Sequence, residues 1–124
     1  MIKNVKVNLG KLSYNILIGE NLVNDVGGID QGIKKFSNVI IITDNNVADL
    51  YLKKVKDSFK DNPNNIDSIV LPNGEKTKSF YFLEFLINKI LSLKVDRNTA
   101  LIALGGGVIG DLVGLVSSLV LRGL

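Results

Sequence analysis

Residues 100–121 read ALIALGGGVIGDLVGLVSSLVL, and the interpretation of this stretch decides the fold. It is apolar except for one acid, Asp111. One interpretation is a membrane span, since the stretch is long enough for a bilayer core of about 30 Å and its glycines at 106, 110 and 114 have the spacing of a helix-dimerisation face. The other is a buried strand, a glycine-rich turn and a buried helix in succession. An acid at the midpoint costs about 3 kcal/mol on insertion scales and consecutive glycines break a helix, so we favour the second interpretation.

Strand-like and helix-like patterns alternate upstream of this stretch. A continuous β-branched run, typical of a strand buried on both faces, occupies residues 39–43. Residues 66–71 are predicted to form another short apolar strand, and residues 99–104 a third buried strand. Helical spacing of apolar residues predicts one helix from Val47 to Phe59 and another over residues 83–91, with Thr77 or Ser79 as its N-cap. Residues 44–46 are predicted to form a turn. This order predicts βαβ units with right-handed crossovers, and hence an α/β fold with a Rossmann-like parallel sheet and flanking helices.

The N-terminal region predicts a β-hairpin. Alternation of apolar and polar residues over positions 5–9 indicates a half-buried strand, and residues 14–18 form a second strand candidate. The turn between them is predicted at Gly10. A short helix over residues 20–26 is expected to end at the glycine pair 27–28.

Composition excludes several classes of function. The chain has 124 residues, a normal size for one domain, with 46% apolar and 22% charged residues, which is typical of soluble globular proteins. The net charge is +3, but the lysines are scattered, which argues against a nucleic-acid interface. Cysteine and histidine are both absent from the sequence, so it holds no disulfide, no zinc site of the usual nitrogen and sulfur type, and no Ser–His or Cys–His nucleophile pair. Lysines and asparagines interrupt the N-terminus, so we expect no signal peptide and a cytoplasmic location.

The glycine-rich turn at residues 105–110 has the form G-x-G-x-x-G between a predicted strand and a predicted helix. The free N–H groups of Gly107, Val108 and Ile109, together with the helix dipole, would suit a pyrophosphate. The usual dinucleotide fingerprint also has an acid about 20 residues later, and too few residues follow Gly110 to provide it. The alternative is a glycine-rich turn that only packs tightly.

Three segments, in order, resemble one enzyme family. Residues 104–123, LGGGVIGDLVGLVSSLVLRG, closely resemble the glycine-rich segment of 3-dehydroquinate synthases. Residues 43–47, TDNNV, resemble that family's T-D-x-N-V stretch. Residues 71–78, LPNGEKTK, resemble its P-x-G-E-x-x-K loop. The three matches extend from about residue 39 to the end of the chain, and together they are more specific than any one of them.

The resemblance implies a reaction and a domain. Enzymes of this family convert 3-deoxy-D-arabino-heptulosonate 7-phosphate to 3-dehydroquinate and release phosphate, a step of the shikimate pathway of aromatic amino acid biosynthesis. They use NAD, which is reduced and reoxidised within one turnover, and a divalent metal, Zn or Co. By this resemblance residues 1–124 are the N-terminal NAD-binding domain of a two-domain enzyme that is a homodimer. The metal ligands, a glutamate and two histidines, belong to the helical C-terminal domain, so we expect no catalytic residue and no metal ligand in this chain and no activity from it alone.

Two polar segments acquire cofactor roles from the resemblance. Asp44 and Asn46 would lie near the adenosine side of NAD, with Asp44 accepting hydrogen bonds from ribose hydroxyls. An Asx turn that caps the next helix is the alternative, above all for Asn46. Gly74, Glu75 and Lys78 would contact the nucleotide sugar and phosphate; without the resemblance they form an ordinary solvated loop.

The C-terminal segment acquires the remaining roles. Gly106, Gly107 and Val108 would donate to the pyrophosphate, and Asp111 would lie by the nicotinamide ribose. An acid in an otherwise apolar helix needs a partner or a ligand. Arg122 would bind a substrate phosphate, since a guanidinium pairs two oxygens at once, and the alternative is a solvated arginine at a helix end.

Related proteins give three further alternatives. Sugar-phosphate cyclases that make deoxyinosose share these features. Iron-type alcohol and glycerol dehydrogenases also carry a G-G-G-x-x-x-D turn but commonly have a lysine where this chain has Gly114. A non-catalytic nucleotide-binding module would bind NAD without a second domain. For a 3-dehydroquinate synthase the expected partners are small molecules, namely NAD and a sugar phosphate, and neither a nucleic acid nor a membrane.

Overall fold

Strands and helices alternate along the chain. The computed structural model of the protein describes residues 2–29, 31–93 and 95–120. The strands are β1 Lys3–Val7, β2 Tyr14–Ile18, β3 Asn38–Asp44, β4 Asn65–Leu71 and β5 Thr99–Leu104. The helices are α1 Val26–Ile29, α2 Asn45–Val47, α3 Lys53–Asp57, α4 Phe80–Ser92 and α5 Gly107–Leu119. Single 3-10 turns cover Gly10–Leu12, Leu22–Asp25, Gln31–Lys35 and Glu75–Thr77, and a π-helical turn, Ala48–Leu52, joins α2 to α3.

The predicted parallel sheet is confirmed and has the strand order β4-β3-β5. Both neighbours run parallel to β3, and their registers start at the same level, because Asn38 faces Asn65 on one side and Thr99 on the other. The strands also end almost level, with Thr43 opposite Leu104. The central strand is buried from Val39 to Thr43, as its continuous β-branched run predicts.

Helices cover the two faces of the sheet. Ile40 and Ile42 of β3 point to one face, where they pack in a core with Leu86, Ile90, Leu112, Val113 and Val116 of α4 and α5. Val39 and Ile41 point to the other face, where they pack with Val55 and Phe59. The connection from β3 to β4 therefore uses one face, while the connection from β4 back across β3 to β5 uses the other. Right-handed crossovers that reverse direction along a sheet produce this two-sided cover.

The predicted turn at residues 44–46 is wrong. Asp44 is the last residue of β3 and the N-cap of α2, so Asn45 and Asn46 are already helical. The carboxylate Oδ1 of Asp44 accepts a hydrogen bond from the Val47 N–H at 2.8 Å. The cap satisfies a backbone donor at the helix start, and the helix can follow the strand directly.

The helix predicted over residues 20–26 instead becomes a 3-10 turn followed by α1, which runs through the glycine pair. Gly27 is buried, its N–H donates to Ser58 Oγ at 3.0 Å, and its carbonyl accepts from Asn62 Nδ2 at 2.8 Å. A Cβ at Gly27 would lie 2.5 Å from the carbonyl oxygen of Ser58. This glycine therefore allows two backbones to approach, and it does not end a helix.

The predicted N-terminal hairpin is confirmed, but its predicted half-burial is wrong. β1 and β2 pair antiparallel, with Val5 opposite Ile16, and Gly10 makes the turn with a φ of +64°. Val5 and Ile16 are both exposed. Among the described residues, neither core layer of the parallel sheet includes a residue of the hairpin, so alternation along β1 does not correspond to a buried face.

The opening stretch divides as the second interpretation predicts, into strand β5, a loop and helix α5. Helix α5 has 13 residues, or about 20 Å at 1.5 Å per residue, which is shorter than a bilayer core. No helix within the described ranges is long and apolar enough to cross a membrane. The membrane-span interpretation of residues 100–121 is therefore wrong; Leu121 itself lies outside the described residues.

Candidate functional site

At the carboxyl ends of β3 and β5 the chain turns toward opposite faces of the sheet. These strands are neighbours, and the helix that follows β3 packs on one face while α5, which follows β5, packs on the other. The chain therefore leaves the ends of these two strands toward opposite faces of the sheet. Ligands of open α/β sheets bind outside the carboxyl ends of the strands at such a point.

The N-terminus of α5 lies at this edge of the sheet, directly after β5. Gly106 is the N-cap residue, and no side chain caps the helix. The first helical hydrogen bond runs from Gly110 N–H to Gly106 O at 3.0 Å, so the amides of Gly107 and Val108 precede the helical hydrogen-bond ladder. A Cβ built at Gly106 or Gly107 would meet no atom within 4 Å. Open backbone donors at the positive end of a helix dipole form a suitable cradle for an anion.

The alternative of a tightly packed glycine turn applies to one glycine of this segment. A Cβ at Gly105 would lie 3.2 Å from the side chain of Ile109, so this position is crowded. Gly110 and Gly114 are exposed, and a Cβ at either would meet nothing within 4 Å. Neither glycine therefore brings α5 closer to the sheet; both lie on its exposed face, beside Asp111.

The junction of β3 and α2 places the two cofactor residues predicted there differently. Asp44 is half-buried, and its Oδ1 is engaged in the cap of α2. Asn46 is exposed in the first turn of that helix. The alternative role considered for Asn46, capping the next helix, thus belongs to Asp44.

The loop that follows β4 is held by contacts that sequence reasoning missed. Asn45 Oδ1 accepts a hydrogen bond from the Asn73 N–H at 2.8 Å. Thr77 is fully buried, and its hydroxyl donates to the carbonyl of Pro72. Of the two predicted N-cap residues, Ser79 caps α4, and Thr77 has this different role. The only sequence signal was a threonine in an otherwise charged loop, which does not reveal its partner.

Gly74 and Glu75 lie at the tip of the same loop, and both are exposed. Gly74 has a φ of +105°, a conformation that strongly favours glycine. Its carbonyl accepts from the Thr77 N–H at 3.1 Å, and the Glu75 carbonyl accepts from the Lys78 N–H at 2.9 Å. The loop is therefore an ordered 3-10 turn that presents the Glu75 side chain to solvent.

Two predicted site residues from distant parts of the sequence contact each other. Lys78 Nζ lies 2.9 Å from Asp111 Oδ2, and the two side chains are 52% and 64% exposed. The hydrogen bond to Asp111 and the attraction of its charge raise the pKa of Lys78 above its usual 10.5, with a smaller contribution from Glu75. The single acid of α5 thus has a partner, which joins the β4 loop to the first turns of the helix.

An apolar groove of about 260 Å³ lies next to this ion pair, between the start of α4 and α5. Its lining residues are Lys78, Ser79, Phe80, Leu83, Asp111, Leu112 and Leu115. The groove combines apolar walls with one cation and one anion at its rim. Such a surface can accept an apolar ring that carries polar substituents.

Arg122 lies outside the described residues, so its predicted role stays a prediction. In the described part of the chain, no group of three or more Asp or Glu side chains could hold a metal ion. The candidate site consists of the predicted site residues that the structure describes. They lie in the glycine turn at residues 105–110, at the end of β3 and start of α2, in the loop at residues 72–78, and at Asp111 of α5.

Comparison with solved structures identifies the class of fold. The chain superimposes with a TM-score of 0.84 and 22% identity on a structure of 2-deoxy-scyllo-inosose synthase complexed with carbaglucose-6-phosphate, NAD+ and Co2+, covering 98% of this chain and 33% of the other. It superimposes with a TM-score of 0.72 and 23% identity on 2-epi-5-epi-valiolone synthase from Streptomyces hygroscopicus subsp. jinggangensis 5008 with NAD+ and Zn2+ bound, covering 94% of this chain and 32% of that one. The chain therefore shares its Rossmann-like α/β fold with about a third of each of these two synthases.

Sequence comparison then identifies the family. Residues 68–124 match the 3-dehydroquinate synthase N-terminal family. The chain is 46% identical over 119 residues to 3-dehydroquinate synthase of Agrobacterium fabrum, covering 96% of this chain and 32% of the relative. It is 43% identical over 120 residues to 3-dehydroquinate synthase of Brucella ovis, covering 97% of this chain and 32% of that relative. The resemblance to the 3-dehydroquinate synthase family is thereby confirmed, and the chain spans about a third of the length of these relatives.

Proposed function

We propose that this chain is the NAD-binding part of a 3-dehydroquinate synthase, an enzyme that converts 3-deoxy-D-arabino-heptulosonate 7-phosphate to 3-dehydroquinate with release of phosphate. The observation that carries the proposal is the uncapped N-terminus of α5, which opens beside the carboxyl end of β3 where the helices diverge. Relatives with this name align over almost the whole chain, which supports the same assignment.

The residues at this edge of the sheet fit a dinucleotide. The amides of Gly107 and Val108 and the open space at Gly106 suit a pyrophosphate, because a small anion can approach the backbone without meeting a Cβ. Asp44, on the neighbouring strand end, is an acceptor for ribose hydroxyls, and Asn46 extends the same surface. When bound, NAD supplies a hydride acceptor and donor; the protein binds and orients it.

Residues of the β4 loop and α5 would engage the other parts of the cofactor. Gly74, Glu75 and Lys78 would contact a nucleotide sugar and phosphate. Asp111 would accept from the nicotinamide ribose, and the Lys78 ammonium beside it would lower the cost of placing that carboxylate near a pyrophosphate.

The rest of the enzyme belongs to the same proposal. We infer that a metal, Zn or Co, is held by residues outside this chain, that the whole enzyme is a cytoplasmic homodimer, and that this chain alone is inactive. Arg122 would bind the substrate phosphate. A related sugar-phosphate cyclase activity is the second candidate, because the fold superimposes on 2-deoxy-scyllo-inosose synthase with a TM-score of 0.84. A nucleotide-binding module without catalysis and an iron-type dehydrogenase are further alternatives.

Calorimetric titration with NAD tests the binding role of Asp44 separately from its capping role. Ser is also a good N-cap but is too short to replace the carboxylate as a ribose acceptor, so Asp44→Ser is matched to Asp44→Ala. We expect both variants to weaken NAD binding about tenfold, since a charged hydrogen bond contributes about 1.5 kcal/mol or more, while only Asp44→Ala also destabilises the fold. An Asp44→Ser variant that binds NAD like the parent would remove Asp44 from the site.

The reaction itself is tested on the whole reading frame that contains this chain. Phosphate release from 3-deoxy-D-arabino-heptulosonate 7-phosphate in the presence of NAD and Zn is the expected activity. Turnover of glucose 6-phosphate in its place would favour the cyclase that forms deoxyinosose. NAD binding without turnover of either sugar phosphate would favour the non-catalytic module.

A further inference from the structure

We propose that Asn45 and Thr77 are positioning residues that hold the loop at residues 72–78 from the two ends of one peptide bond. The proposal rests on the proposed function, because it concerns how the loop that carries Glu75 is prepared for a nucleotide. Neither residue belongs to the predicted cofactor contacts.

The geometry centres on the peptide bond between Pro72 and Asn73. Its N–H, on Asn73, donates to Asn45 Oδ1 at 2.8 Å. Its carbonyl, on Pro72, accepts from the Thr77 hydroxyl. Because a peptide unit is planar, partners at both of its polar ends fix the orientation of the whole plane.

The two partners come from different parts of the structure. Asn45 is the first residue of α2, which directly follows the central strand, and Thr77 ends the 3-10 turn of the loop itself. Thr77 is fully buried, so its hydroxyl has a defined position. The contact from Asn45 thus joins the first residue of α2 to the loop after β4, because β3 and β4 are paired side by side.

The clamped peptide lies just before the residues that would meet the ligand. Gly74 follows it with a φ of +105°, and the carbonyls of Gly74 and Glu75 accept from Thr77 and Lys78. The far end of the loop is joined to α5 by the Lys78–Asp111 pair. The loop is therefore anchored at both ends before a nucleotide binds, and ordering it in advance reduces the entropy cost of binding.

Side-chain chemistry predicts which substitutions preserve the clamp. Asn45 is used as an acceptor, so Asn45→Asp keeps the function and Asn45→Ala removes it. Thr77 is used as a donor, so Thr77→Ser keeps the function and Thr77→Val removes it at nearly the same shape. Asn45 is exposed, so its variants should keep the core intact.

Amide hydrogen exchange followed by NMR tests the clamp without any ligand. In Asn45→Ala we expect the Asn73 amide to exchange about five- to tenfold faster than in the parent, the range for loss of one hydrogen bond, with Asn45→Asp close to the parent. Thr77→Val should also accelerate exchange at Asn73, and Thr77→Ser should not. An Asn73 amide that exchanges equally in Asn45→Ala and in the parent overturns the proposal.

NAD titration of a double-mutant cycle tests whether the clamp acts through Glu75. Asn45→Ala should weaken NAD binding about fivefold in the parent and by a clearly smaller factor in a Glu75→Ala background, because the Glu75 side chain is then no longer there to be positioned. Equal losses in both backgrounds would show that Asn45 acts independently of Glu75, against the proposal. A parent chain that binds no NAD overturns the proposed function, and the exchange rates still decide whether Asn45 and Thr77 hold the loop.

Discussion

Gly27→Ala should destabilise this protein, although the substitution adds only one methyl group. The new Cβ would lie 2.5 Å from the Ser58 carbonyl oxygen, 2.9 Å from its carbon and 3.1 Å from Phe59 Cα, all of them backbone atoms. Ordinary contact begins at 3.4 Å, so α1 must withdraw by about 1 Å. Backbone atoms cannot rotate away as a flexible side chain can.

The cost follows from the contacts that this withdrawal breaks. Gly27 N–H donates to Ser58 Oγ at 3.0 Å, and Gly27 O accepts from Asn62 Nδ2 at 2.8 Å. Lengthening either by about 1 Å takes it beyond hydrogen-bond range, and each is worth about 1 kcal/mol. Holding the helix in place instead incurs overpacking of about 1 to 3 kcal/mol. Either response centres on a loss of about 2 kcal/mol in the free energy of unfolding.

Thermal unfolding followed by circular dichroism measures this loss. At about 4 °C per kcal/mol for a domain of this size, the midpoint should fall by roughly 8 °C. Gly110→Ala is the matched control, because it is an exposed helical position where a Cβ meets nothing within 4 Å. That variant should raise the unfolding free energy by about 0.5 to 1 kcal/mol through helix propensity. A Gly27→Ala midpoint equal to that of the parent would refute the packing argument.

Three further substitutions test other contacts. Asp111→Asn should return the pKa of Lys78 toward 10.5, as measured by NMR titration of the Lys78 side chain. Because the pKa is raised in the folded protein, the pair stabilises the fold below pH 10.5, and this contribution is lost as Lys78 deprotonates. The thermal unfolding midpoints of the parent and the variant should therefore converge at high pH. Thr43→Val should leave the free energy of unfolding in urea unchanged or raise it by up to about 1 kcal/mol, because the buried Thr43 hydroxyl has no hydrogen-bond partner among the described residues. A clear loss of stability would show that the hydroxyl does have a partner. Ser79→Ala should cost only about 0.5 kcal/mol, since the cap bond to the Phe82 N–H is long at 3.4 Å, and a loss above about 1.5 kcal/mol would contradict that estimate.

The fold could be predicted where burial dominates the sequence pattern. The continuous apolar run at residues 39–43 becomes the central strand because a strand covered on both faces needs no polar side. Alternation at residues 5–9 predicted a strand correctly but not its burial, because a half-buried pattern does not show whether another layer covers it. Glycines were least predictable: Gly27 allows close packing, Gly74 has a positive φ and Gly106 is open, and these differences depend on distant neighbours.

Most residues of the candidate site were predicted from the resemblance of three segments to the 3-dehydroquinate synthase family. Residue chemistry alone indicated an anion site at the start of α5, and in the structure no side chain caps that helix end. The Lys78–Asp111 contact could not be predicted, because it joins residues 33 positions apart through the packing of α4 against α5. The Asn45–Asn73 contact likewise depends on the parallel pairing of β3 and β4.

The level ends of the three parallel strands have a consequence for sequence variation. Each strand residue advances the chain by about 3.3 Å, so one residue inserted into or deleted from β3 would displace its loop by that distance and reverse which side chains face each layer. Among homologues, the number of residues between each of these strands and its following helix should therefore stay constant.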